Sequence, residues 1–395
     1  MENLITKYAR KLVDQGLVDP PGPLIGGLDA DLVWNRPDPL QPLLEKVVAG
    51  LDVAAIVFAR PAEPYRSLID RLVDRMAAGS PALCPQDSEN RTFLHELPVV
   101  HDPSAADLIE VLKQRKCTII PGQGVVSYGT VSPEQAYIVF SSVCFSLFVK
   151  AFVDFYDDLR AGRRDALLAE LVIQGKTYYQ ESLRDAGSHP DLMKGPFDSE
   201  KDATRAICEV GRLTVGKGMV DSFFGNISYC LGDTVYISQT TSSLDELEGC
   251  IDPCALDDSR CTAITASSEY PAHKSVYLTS DDRAILHGHP KFSVIASLMC
   301  AHRERCANNG DCHIKCTRDR RVGQAPIIPG ESGTGPHSIA ITLPAPLVRN
   351  KAAIVYGHGV FTTGQFDFRD AFQRLLHVEQ TSFEAYFDHI QRLQK

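Results

Sequence analysis

The sequence predicts an α/β protein built from two related halves, and three observations carry that expectation. A short apolar strand, a glycine turn and a long helix occur twice in the same order. Short apolar runs alternate with helical patterns through the carboxy-terminal half. The chain has 395 residues, more than one ordinary domain needs. With 44% hydrophobic and 23% charged residues it can bury large cores, which excludes a disordered chain.

The repeat has no gap. CTIIPGQGVVSYGTVSPEQAYIVFSSVCFSLFVKAF, from Cys117, aligns with AAIVYGHGVFTTGQFDFRDAFQRLLHVEQTSFEAYF, from Ala352, at an offset of 235. Gly122, Gly124, Val125 and Gly129 match Gly357, Gly359, Val360 and Gly364. In the second copy Phe368, Ala371, Phe372, Leu375, Tyr386 and Phe387 supply part of the helix's apolar stripe. Upstream, AAIVFARP from Ala54 resembles RAILHGHP from Arg283, and LPVV from Leu97 resembles APII from Ala325. Where the second copy carries His287, His289 and His358, the first carries Phe58, Arg60 and Gln123. Three imidazoles kept in one copy and replaced in the other predict one metal site per chain.

Taken in order, residues 1–165 form the first half, with helical stretches around Pro42–Ala49, Pro64–Ala78 and Pro133–Leu159. The join is expected to start in the charged stretch from Asp157 to Asp165. Residues 166–395 form the second domain, opening with a helical pattern up to Val220. The apolar run from Ala136 to Val149 has fourteen residues, short of the roughly 20 that cross a bilayer, so a buried helix is expected and no membrane contact. The start, MENLITKYARKLVDQG, lacks the apolar core of a secretory signal, which predicts a cytoplasmic protein. A net charge of −10 excludes a broad basic footprint for nucleic acid, so an anionic substrate has to be gripped locally.

Side chains two apart in a strand point the same way, so His287 and His289 in AILHGHP project together from a strand end. His358 follows a second apolar strand between Gly357 and Gly359, which let the backbone turn sharply. Three histidines leave one coordination position open, as catalytic zinc sites do. Glu269, in TASSEYPAH, returns to the same strand end through a helix that Pro271 helps initiate. A carboxylate beside a metal ion suits acid/base work, although a helix-start acid also complements the helix dipole. Gly225–Ser228, the Ser/Thr-rich turn from Ser238 to Ser243, and Ser267 with Ser268 offer small hydroxyls and backbone N–H groups at turns, a pattern suited to an anion.

Twelve cysteines without an export signal read as thiols or metal ligands in a reducing compartment. Cys250, Cys254 and Cys261 cluster, and Cys300, Cys306, Cys312 and Cys316 lie close together with His302 and His313. The second group raises a further metal or iron–sulfur site, against scattered small apolar cysteines.

GNIS, the Ser/Thr turn, SSE, HGHP, PIIPGESG and GHGVFTTG together resemble the class II aldolase/adducin family over roughly residues 200 to 390. The resemblance implies a three-layer α/β/α domain with a mainly antiparallel sheet, preceded by a truncated, metal-free copy. It implies Zn2+ held by His287, His289 and His358, with Glu269 as acid/base and Asn226, Thr241, Ser267 and Ser268 near a substrate phosphate. The implied activity is a lyase of the aldolase type, working on a small phosphorylated sugar or hydroxy-keto compound through a metal-stabilised enediolate. Epimerases, dehydratases and a noncatalytic adducin-like module share the family. It also implies a homo-oligomer, in which a chain carrying a degenerate copy forms a dimer imitating a tetramer. The phosphate turn reads TTSS where many relatives carry a glycine, and Tyr229, Tyr236, Tyr270 and Tyr386 are all candidates for a second acid.

Overall fold

The computed structural model describes residues 1–184, 192–221, 223–259, 264–333 and 335–395; Cys261 lies outside them. The chain divides into two compact units, Met1–Tyr178 and Tyr179–Lys395.

The first unit runs α1 (Glu2–Asp14), β1 (Leu24–Leu28), β2 (Leu32–Trp34), α2 (Gln41–Leu51), β3 (Ala55–Ala59), α3 (Tyr65–Asp74), β4 (Ala82–Leu83), β5 (Leu97–Pro98), α4 (Ala105–Leu112), β6 (Cys117–Ile120), β7 (Gly124–Gly129) and α5 (Pro133–Arg160). α6 (Ala166–Arg184) spans the division. The charged stretch from Asp157 to Asp165 lies in the first unit. Arg71 and Arg75 hold Asp165, at 2.8 and 3.2 Å. Gly175 on α6 packs so closely on Phe152 of α5 that an added Cβ would lie 2.9 Å from the ring. α5 is the apolar helix; at 28 residues it is long enough to cross a membrane, and 89% of its most apolar stretch is buried, which makes it a core helix.

The second unit continues with α7 (Glu200–Gly216), β8 (Asn226–Leu231), β9 (Thr234–Ser238), β10 (Ile251–Ala255), α8 (Tyr270–Tyr277), β11 (Ala284–Gly288), α9 (Lys291–Leu298), β12 (Arg320–Val322), β13 (Ala325–Ile328), α10 (Ile339–Thr342), α11 (Pro344–Asn350), β14 (Ala352–Val355), β15 (Gly359–Gly364) and α12 (Phe368–Gln394). Its sheet has the order β10-β9-β8-β11-β15-β14-β13-β12 and is antiparallel except between β13 and β14. Strand alternation sends successive side chains to opposite faces. Ile227, Tyr229, Leu286, Ile354 and Val360 bury against α7 and α12. Val235, Ile237, Ile285, Ala353, Val355 and Phe361 bury against α8, α10 and α11. The domain is therefore three layers, helix on sheet on helix, as the sequence predicts.

The smaller sheet of the first unit, β2-β1-β3-β7-β6, pairs in matching registers. Ala55 faces Gly129 as Ala284 faces Gly364. Cys117 faces Ser127 as Ala352 faces Thr362. Leu24 faces Phe58 as Asn226 faces His287. Even the parallel contact of Val99 with Ile119 has its counterpart in Ile327 with Ile354.

Candidate metal centre

The alternation that sends Ile227 and Leu286 toward α7 and α12 turns Asn226, Ser228 and His287 toward α8. Gly225 permits this approach: its φ is +88°, and a Cβ there would lie 2.4 Å from the His287 carbonyl. His287 closes β11, His289 follows at the strand's end, and His358 sits in the turn between β14 and β15. One ring nitrogen from each lies within 4.8 Å of those from the other two, and all three residues are buried. Gly359 admits the trio, since a Cβ there would meet the Gly288 carbonyl at 2.3 Å and the rings of His287 and His289 at 2.9 Å.

Glu269 caps the start of α8, with Pro271 in the first turn. Its carboxylate lies 3.3 Å from His358 Nε2 and 3.5 Å from His287 Nε2. Asn226 Nδ2 donates to it at 2.7 Å, while Asn226 Oδ1 is buried with no hydrogen-bond partner among the described residues. Burial disfavours the charge on Glu269; the His287 and His358 nitrogens and the Asn226 amide outweigh it and hold the carboxyl below its ordinary value. Burial drives His287 down to about 4 and His289 well below its ordinary value, so both rings are neutral at pH 7 with lone pairs to donate.

The tautomer of His287 follows from its partner. Its Nδ1 lies 3.0 Å from the Val360 carbonyl and must donate, which leaves Nε2 as the ligand atom. His289 Nε2 is 3.2 Å from that atom. Two nitrogens each ~2.0–2.1 Å from one tetrahedral ion would be separated by roughly 3.3 Å. The donor set, its protonation and its spacing therefore fit a zinc-type ion. Phe361 stacks on His287 at 3.8 Å and 7°, holding the ring plane.

The structure brings five of the expected residues into contact distance: Asn226, Glu269, His287, His289 and His358. Ser267 is buried beside them, its Oγ accepting from Glu269 N at 3.3 Å. Thr241 and Ser268 are exposed on adjacent turns, joined through Thr240 N to Thr265 O at 2.9 Å and Ser267 N to Ser238 O at 3.1 Å. Three of the tyrosines considered as a second acid are tied elsewhere: Tyr229 to Phe366 O, Tyr236 to Glu200 and Tyr270 to Ala255 O. Tyr386 is fully buried against Phe292.

Two neighbours escaped the sequence reading. Ser332 Oγ donates to Glu269 at 3.4 Å; it lies in PIIPGESG, so its motif was visible although its contact was not. His273, one helical turn beyond Glu269, is fully buried with Nδ1 2.7 Å from Ser228 Oγ, and its i, i+4 spacing was the available signal. Asn226 and Ser228 on β8 thus hold Glu269 and His273 on α8 as two successive rungs.

The structure does not bring the cysteines raised as a further site together as a ligand set among the described residues. Among the described residues the histidine trio is the one group of three or more His, Cys, Asp or Glu placed to hold a metal. Cys300, Cys306, Cys312 and Cys316 lie, half-buried and outside any disulfide, on turns between α9 and β12. Cys312 and Cys316 turn to their own backbone, at Asn308 O and Arg318 O, 3.6 and 3.7 Å away.

Residues 205–386 match the family described as Class II Aldolase and Adducin N-terminal domain. No curated protein matches the chain. Among solved structures, it is similar to L-fuculose-1-phosphate aldolase from Thermus thermophilus, at 18% identity over 49% of this chain and 97% of that one, with a TM-score of 0.39. YgbL from Klebsiella pneumoniae, a candidate aldolase/epimerase/decarboxylase, matches at 21% identity over 50% of this chain and 100% of that one, TM-score 0.38. A sugar-phosphate aldolase from Thermotoga maritima matches at 17% over 48% and 96%, TM-score 0.36.

Proposed function

The carboxy-terminal unit belongs to the class II aldolase and adducin family, and from that premise we propose that the chain is a zinc-dependent lyase of the aldolase type acting on a small phosphorylated sugar or hydroxy-keto compound. The observation that carries this reading is the convergence of three buried imidazoles with a carboxylate 3.3 Å away. His287, His289 and His358 hold the ion, one per chain. A divalent ion bound there supplies Lewis acidity to a carbonyl and its neighbouring hydroxyl, and so favours breaking the adjacent C–C bond. Glu269 moves the proton: its carboxylate is ionised, and it is held at one oxygen by Asn226, so the other is presented on the side of His358 and Ser332. Asn226, Thr241, Ser267 and Ser268 grip the phosphate with an amide, hydroxyls and turn N–H groups, which fits a chain whose net charge of −10 offers anions no general attraction.

We assign the first unit to a degenerate copy of the same domain. Its five-stranded sheet pairs in the order and registers of β9-β8-β11-β15-β14 in the second, and Phe58, Arg60 and Gln123 stand where the imidazoles would be. It contributes no metal.

The test is a panel of phosphorylated ketoses and aldols offered to zinc-loaded protein, with aldehyde release as the readout. Cleavage of one of them, abolished by Glu269→Gln with zinc retained, supports the lyase. Epimerised or dehydrated product keeps the site and changes the reaction. Bound zinc with no turnover of any substrate favours an interaction module.

A further inference from the structure

We propose that Glu379, far from the ligands in sequence, is a positioning residue for His289: it clamps the strand-to-helix turn on which that ligand sits. The inference rests on the zinc reading above and extends it to a residue that touches neither metal nor substrate.

α9 begins directly after HGHP, and the residue that precedes it, Pro290, supplies no side-chain cap. The first N–H groups of a helix have no partner within the helix, and burial makes such orphans costly. Every residue of α9 is buried, so water does not serve them. Glu379 does, from α12. One carboxylate oxygen accepts from Phe292 N and Tyr179 Oη, at 2.7 and 2.5 Å; the other accepts from Ser293 N and Ser293 Oγ, both at 2.7 Å. Glu379 is itself fully buried. Its partners are four hydrogen-bond donors, and three of them belong to the first turn of α9.

The link to His289 is short and stiff. Between His289 and Phe292 stand only Pro290, whose ring fixes φ (−68° here), and Lys291. On its other side His289 is tied to β11, whose His287 is paired with both β8 and β15. The ligand is thus held from the sheet at one end and from Glu379 at the other.

The first unit supplies an internal comparison. Its long helix α5 aligns with α12, and the position of Glu379 is Cys144. The helix after β3 is served instead by its own Glu63, which accepts from Ser67 N at 3.3 Å and Ser67 Oγ at 2.9 Å. That copy keeps the strand registers without a buried carboxylate at this place. The carboxylate accompanies the imidazoles and is not a requirement of the fold.

The experiment measures zinc affinity by competition with a chelator, in full-length wild type, Glu379→Gln, Glu379→Cys, Ser293→Ala and, as a control, the remote core truncation Leu247→Ala. Glutamine places an NH2 against two of the donors; cysteine is the residue tolerated in the other copy; Ser293→Ala removes one hydroxyl and leaves the carboxylate. Disturbing a group that orients a ligand costs roughly 10- to 100-fold in metal affinity. We expect a loss of that size in both Glu379 variants, a smaller one in Ser293→Ala, and a shifted visible spectrum of the cobalt-substituted Glu379 variants, with Leu247→Ala lowering the melting temperature but not the affinity. Wild-type affinity in the folded Glu379 variants, or a loss in Leu247→Ala that matches theirs, overturns the inference and leaves the zinc site standing. Wild type that binds no zinc overturns both.

Discussion

Glu269 and His289 lie in one cluster yet their loss is expected to read differently. His289→Ala removes one of three ligands, so zinc measured by elemental analysis should fall to background while the circular dichroism spectrum stays that of the wild type. Glu269→Gln keeps the trio and the Asn226 contact; zinc should remain, and turnover should fall about 10²- to 10⁴-fold, the usual worth of a positioned proton carrier. His273 gives a prediction on stability. Burial holds it down to about 3, far below its ordinary value of 6.5. As pH falls through about 6.5 the unfolded chain takes up a proton that the folded chain refuses, so the contribution of His273 is full above that pH and is lost progressively toward 3. Urea unfolding of the metal-free protein between pH 7 and pH 4 should therefore show a shallower decline in His273→Asn than in wild type, and parallel curves would refute the assignment.

At the scale of elements, the site is a set of close approaches between strand ends. The β14–β15 turn reaches the end of β11 only because Gly359 has no side chain, as the 2.3 Å gap to the Gly288 carbonyl requires. Gly359→Ala should destabilise by about 1–3 kcal/mol, in line with other overpacked sites, and should also cost zinc, because the same Cβ strikes the rings of His287 and His289. Its counterpart Gly124 has φ +154° and would set a Cβ 2.5 Å from the Ala59 carbonyl. Gly124→Ala should lower stability comparably in a denaturant titration and leave the zinc content unchanged. The contrast separates what the repeated βα unit needs to fold from what one copy needs for its metal.

For the whole molecule, the proposed site leads to an expected stoichiometry of one zinc per chain. Elemental analysis giving two would contradict the assignment of the first unit to a metal-free copy. The resemblance to a family of oligomers leads to an expected solution mass of twice the chain or a higher multiple, which light scattering checks; a monomer with full turnover would contradict it. The cysteines between α9 and β12 should add no metal and no visible absorption to the purified protein.

The sequence by itself made legible the repeated strand–turn–helix pattern, the histidine trio and the helix start at Glu269, because each rests on short-range spacing: alternation in a strand, a glycine turn, a proline in a first helical turn. The comparison of copies added what spacing alone does not give, namely that three imidazoles present in one and absent from the other belong together. Other features depended on contacts between segments remote in the chain. Ser332 reaches Glu269 from a loop 63 residues away, and Glu379 reaches α9 across 86 and 87. Phe361 acquires its place against His287 only through the pairing of β11 with β15. Arg71 and Arg75 reach Asp165 across 94 and 90 residues. Spacing along a chain fixes direction within one element, whereas what stands opposite a side chain is decided when separate elements pack.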